Sequence, residues 1–98
     1  MEETVNDPRP GDDEAARRRR LWWRSRRGLR ELDLLLLPFV EEVYPTLDAE
    51  AQMTYHRLLE EEDTELLLWV TGRAEPLDPA VHALVARIRA HGHDRDRP

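Results

Sequence analysis

A chain of 98 residues is the size of one domain, and at this length folding hides only about 60–65% of the unfolded surface, which argues against a deep substrate cavity. The absence of Cys excludes a disulfide framework, a Cys-bearing zinc ribbon, a redox dithiol and a cysteine nucleophile; because all 15 basic residues are Arg, catalytic-lysine, Schiff-base and P-loop chemistry are excluded too. The net charge of -6 conceals a segregation, with eight Arg and no acid in residues 15–30 against eleven acids and one Arg in residues 31–65, a pattern suited to meeting a partner in a fixed orientation.

In chain order, residues 1–14 offer only Met1 and Val5 as apolar side chains among six acids, and a disordered acidic tail is expected because so little burial cannot offset the ordering entropy. Residues 15–91 hold the material for one all-α domain, a compact bundle of about five short helices, since Leu, Ala, Arg and Glu dominate and no segment sustains the alternation of a strand. The first helix spans about Ala15–Arg27, carries Trp22 and Trp23 as its main apolar mass and ends at Gly28, the residue type that most cheaply adopts a left-handed cap. The second puts Leu32, Leu35, Leu36, Phe39, Val40 and Val43 on one stripe, and Pro38 is expected to kink or restart it. Asp48 is expected to cap a third helix with Ala51, Tyr55, Leu58 and Leu59 on one side. Asp63 is expected to cap a short fourth helix with Leu66, Trp69 and Val70 inward and Gly72 as its stop. The fifth has Asp78 as cap, Pro79 at its first position and Val81, Leu84, Val85 and Ile88 as its stripe. Residues 92–98 are expected to be a second disordered tail.

The segment Ser25-Arg26-Arg27-Gly28-Leu29 ahead of Leu34–Leu37 matches a twin-arginine export signal only superficially. Glu31 and Asp33 interrupt the apolar region, Pro38 and Glu41 end it, and no small-residue cleavage site follows. No run approaches the roughly 20 apolar residues of a membrane span. A cytoplasmic, monomeric protein is expected.

Enzymatic chemistry has little to draw on. Ser25 is the only Ser, lies between two Arg and has no His near it in sequence to act as its base. His91 and His93 with Asp94 make a poor metal set without a fixed third ligand, and Glu60–Asp63 reads as a solvated helix junction. The run Arg17–Arg20 with Arg24, Arg26, Arg27 and Arg30 leaves open a small helical nucleic-acid-binding or antitoxin-like regulatory protein that neutralises phosphates and stacks its two Trp on bases. Against that, the chain as a whole is acidic, and no nucleic-acid fold signature is present.

The junction Arg26-Arg27-Gly28-Leu29-Arg30-Glu31-Leu32-Asp33 admits two readings. In one, Gly28 ends a helix and Glu31 satisfies the start of the next. In the other, Gly28 lets a partner backbone approach closely, while Arg27 and Glu31 supply a guanidinium fork and a carboxylate for charge-assisted hydrogen bonds.

Arg27-Gly28-x-x-Glu31-Leu32-Asp33, the preceding Trp23, Pro38-Phe39, Leu58-Leu59-Glu60, and Asp63 with Leu66 and Trp69 together resemble the flavinylation (FAD assembly) factors of succinate dehydrogenase and fumarate reductase, small five-helix proteins. The resemblance covers about residues 19–91; the acidic extension and Arg17–Arg20 lie outside the family pattern. It implies an assembly chaperone rather than an enzyme, without a cofactor of its own, that binds the flavoprotein subunit and promotes covalent attachment of FAD to a His of that client. Arg27, Gly28 and Glu31 are then expected at the contact with the client near its flavin, with Arg26, Arg30 and Asp33 beside them in the same partner-binding site.

Overall fold

A scarcity of β-branched residues and a supply of Leu at helical spacing leave helix as the way to satisfy this backbone, and five α-helices form among the described residues. A computed structural model describes residues 10–95, with side chains described from Asp13 onward. The helices are α1 (Pro10–Ser25), α2 (Arg30–Glu42), α3 (Ala49–Leu58), α4 (Asp63–Val70) and α5 (Pro79–Arg95), with a 3-10 turn at Tyr44–Thr46 between α2 and α3. The expectations for residues 1–9 and 96–98 lie outside the described residues.

The central helix is α2, which packs on α1, α4 and α5, while α5 also closes on α3 and α4. Its stripe lands as spaced, with Leu32, Leu36, Phe39 and Val40 buried and Leu35 and Val43 packed at the margin. The helix runs as one element through Pro38. Leu34, whose carbonyl loses its donor there, is exposed, and water can serve that carbonyl. Tyr55 of α3 stacks on Phe39 with ring centroids 5.9 Å apart, and α4 and α5 add Leu66, Trp69, Val70, Val81, Leu84, Val85 and Ile88. Each fully buried side chain of this size contributes about 1.5–3 kcal/mol relative to exposure.

Three of the helix ends follow the expected capping chemistry. Asp48 Oδ1 accepts from the Ala51 amide at 2.8 Å, and Asp78 Oδ1 accepts from Ala80 and Val81 at 2.8 and 3.2 Å. Gly72, at φ +78°, closes α4 in a Schellman arrangement, with the Arg73 amide bonded to the Leu68 carbonyl at 2.9 Å and the Gly72 amide to that of Trp69 at 3.1 Å. Asp63 departs from expectation. It is the first residue of α4, Glu62 occupies the cap position without a side-chain bond, and the Asp63 carboxylate is taken by Arg27 instead.

Three further boundaries and faces differ from the sequence reading. α1 starts at Pro10 rather than Ala15, supported by Arg17 paired with Asp13 and Glu14, and Arg18 with Glu14, one turn apart. Its buried residues are Leu21 and Ser25, whereas Trp23 is 62% exposed and Trp22 is partly covered, so the Trp pair is not the helix's core face. α5 continues past His91 to Arg95 because Gly92 lets it lie directly on α2, where a Cβ would overlap Leu35 Cδ2. Glu42 fixes that end, holding His91 Nε2 at 2.9 Å and Arg95 Nη1 at 2.7 Å.

Candidate docking site on the first interhelix connector

Between Ser25 and Arg30 the chain leaves the helical path. The Arg26 amide still bonds the Trp22 carbonyl at 3.0 Å, and Gly28 then turns the backbone at φ +85°, a value other residues rarely adopt. The connector is fastened from two sides. Asp33 of α2 accepts from the Arg27 amide at 2.8 Å through Oδ1 and from the Gly28 amide at 3.2 Å through Oδ2. From the other side, the Arg27 guanidinium donates through Nε to Asp63 Oδ1 at 2.7 Å, through Nη1 to the carbonyls of Leu59 at 3.0 Å and Arg24 at 3.2 Å, and through Nη2 to the Glu61 carbonyl at 2.8 Å.

The six residues expected at a partner-binding site therefore divide. Arg26, Gly28, Arg30 and Glu31 are exposed, whereas Arg27 and Asp33 turn into the fold. Glu31 makes no capping bond to the start of α2, whose cap residue Leu29 also lacks one; at the second helical position its charge favours the dipole and its carboxylate remains on the surface. Nothing lies within 4 Å of where a Gly28 Cβ would stand, so that side of the backbone is open to an approaching chain. Trp23 borders this face, with the Arg26 guanidinium carbon 6.0 Å from its ring centroid and Trp22 edge-on to it at 4.9 Å. Asp63, and the carbonyls of Leu59 and Glu61, were not legible as parts of this site. Asp63 reads as a cap, and it and Leu59 belong to the family resemblance, but neither signal ties them to this connector.

Under α1, an open groove of about 810 Å³ is lined by Arg20, Trp22, Arg24, Tyr44, Gln52 and His56 among others. Arg24 Nη1 lies 3.1 Å from His56 Nδ1, and the Tyr44 hydroxyl lies 2.9 Å from Nε2. A guanidinium only donates, so Nδ1 accepts, the imidazole is neutral and Nε2–H donates to Tyr44. Burial and then the Arg24 charge hold the His56 pKa below the ordinary imidazole value. Ser25 Oγ donates to the Leu21 carbonyl at 2.9 Å and sits 2.7 Å from the Tyr55 hydroxyl, whose pKa burial pushes up to about 12. The only Ser is thus a buried structural hydroxyl with no base beside it. Among the described residues no three His, Cys, Asp or Glu side chains are placed to hold a metal ion, and no helix is long and apolar enough to cross a membrane.

The family described as "Flavinator of succinate dehydrogenase" matches residues 19–92, a span that contains the connector and both of its clamps. The chain is similar to the protein named FAD assembly factor SdhE of Pseudomonas aeruginosa, with 51% identity over 70 residues that cover 71% of this chain and 83% of that protein. The protein of the same name from Methylococcus capsulatus is 41% identical over 75 residues, 76% of this chain and 90% of its own. That of Psychrobacter arcticus is 36% identical over 90 residues, 92% of each.

Proposed function

This chain belongs to the family of flavinators of succinate dehydrogenase, and from that premise we propose that it binds the flavoprotein subunit of succinate dehydrogenase or fumarate reductase in the cytoplasm and promotes covalent attachment of FAD to it. It acts as a monomeric assembly chaperone and carries no cofactor of its own. The bond-making chemistry belongs to the flavin and the client; the helper contributes position, which alone can be worth several kcal/mol.

The observation that carries this reading is the connector. Gly28 offers an open backbone edge, and exposed Glu31, Arg30 and Arg26 surround it with both signs of charge. Such a surface favours charge-assisted bonds to one partner in one orientation over the uniform attraction of a polyanion. The nearby basic run is also partly neutralised from within, since Arg17 and Arg18 pair with Asp13 and Glu14.

The test is covalent flavin on the client, read as in-gel fluorescence after denaturation, in cells lacking their own factor and supplied with this chain or with Glu31→Ala. Glu31→Ala is expected to keep its helical spectrum and lose client affinity by about 2–5 kcal/mol, the range for truncating one partner of a charge pair buried in a complex. Normal flavinylation by a stable Glu31→Ala variant would remove Glu31 from the docking face.

A further inference from the structure

The exposed face is held from behind by groups it does not expose. The Arg27 side chain is only 16% exposed, and its donors span from the Leu59 and Glu61 carbonyls at the end of α3 to the Asp63 carboxylate that opens α4. A cation suits the negative end of one helix dipole and an anion the positive end of the next, so the guanidinium and Asp63 are each stabilised where they stand. The connector has little packing of its own: a Cβ on Gly28 would meet nothing, and Leu29 is 40% exposed. Its path depends on two anchors, the Asp33 carboxylate on its amides and the Arg27 fork at the α3–α4 turn.

Resting on the docking reading above, we propose that Asp63 is a positioning residue for the client-binding face. By holding Arg27 Nε at 2.7 Å it orients the guanidinium so that its Nη atoms meet both carbonyls, and the connector then presents the open side of Gly28 together with Glu31. Neither Asp63 nor the Arg27 guanidinium touches the client. The carbonyls meet only the two Nη atoms, and the carboxylate alone holds the Nε edge.

A double-mutant cycle in affinity for the purified flavoprotein subunit tests this, using Asp63→Ala, Arg27→Ala and the double variant on the full chain well below their melting temperatures. Asp63→Ala is expected to weaken binding by on the order of tenfold, and the double variant to bind no more weakly than Arg27→Ala alone, the signature of one shared contact. Arg27→Lys is expected to behave like Arg27→Ala, because an ammonium keeps the charge but loses the fork. Wild-type affinity in Asp63→Ala, or additive losses that put Arg27 directly on the client, would overturn the proposal.

Hydrogen exchange on the free protein separates this failure from a failure of the function itself. In Asp63→Ala the Arg27 and Gly28 amides, now bonded to Asp33, are expected to exchange roughly tenfold faster while α5 keeps its protection. Unchanged exchange at those amides overturns the positioning role whether or not the client binds. If the wild-type chain fails to bind the flavoprotein while these amides respond, the docking reading falls instead. Should Asp63→Ala prove poorly folded, Asp63→Asn, which keeps the volume and removes the charge, carries the same comparison.

Discussion

The two longest helices differ in how much of their attachment is apolar. α5 buries Val81, Leu84, Val85 and Ile88 along one stripe, and apolar burial is non-directional, scaling with area. Among its described residues α1 buries Leu21 and Ser25 and packs Trp22 partly against the core, and it adds two polar ties, Trp22 to Glu41 at 2.7 Å and Arg24 to His56 at 3.1 Å. Polar ties are directional, so they fix how α1 lies more than how firmly the domain folds. Stability thus resides mainly in α2–α5, while α1 aims the connector and the face proposed for docking. The largest effect expected from this contrast is Ile88→Ala, which should cost about 2–5 kcal/mol in chemical denaturation. A loss under about 1 kcal/mol would mean the site collapses freely and α5 is not the anchor.

What was legible in the sequence follows the same division. The start and the buried stripe of α5 could be read to the residue because their signals are local: an Asp cap, a Pro at the first position and four apolar residues at helical spacing. The stripe of α2 and the positive-φ glycines at 28 and 72 were legible for the same reason. α1 was not. Adjacent Trp22 and Trp23 do not define a face, and the acids Asp13 and Glu14, read as tail, serve as ion-pair partners that lengthen the helix. Gly92 reads as the first residue of a disordered tail but is the residue that permits contact with Leu35. At the site, the exposed residues Arg26, Gly28, Arg30 and Glu31 could be read from a local motif. The inward turn of Arg27 could not, because its partner Asp63 lies 36 positions away.

A smaller effect sharpens the contrast from the side of α1. Ser25→Ala removes the partner of a Tyr55 hydroxyl that is buried and held 2.7 Å away. Leaving that hydroxyl unpaired should cost about 1–3 kcal/mol. The readout that distinguishes α1 from α5 is regional: exchange at connector amides should rise while protection in α5 is kept below the global limit. A uniform loss of protection across both helices would make α1 part of the same cooperative core and remove the distinction.

The smallest expected effect concerns the polar tie between α1 and α3. His56 accepts from Arg24 through Nδ1 and faces Tyr44 through Nε2, and its folded pKa lies below the ordinary 6.5 because burial and Arg24 both disfavour the charged ring. The folded state therefore binds a proton less readily than the unfolded chain. This contribution to stability is present in full above pH 6.5 and is lost as pH falls from there through the depressed folded value. Protonation also turns Nδ1 from acceptor to donor, so Arg24 loses its partner and faces a like charge. His56→Gln can still accept from Arg24 and donate to Tyr44, but it does not titrate. The wild type should lose more melting temperature than His56→Gln between about pH 7.5 and about pH 5.5, with the two alike at the upper value. Equal acid losses in both would show that α1 does not depend on this neutral ring, leaving Ser25 and Trp22 as its polar anchors.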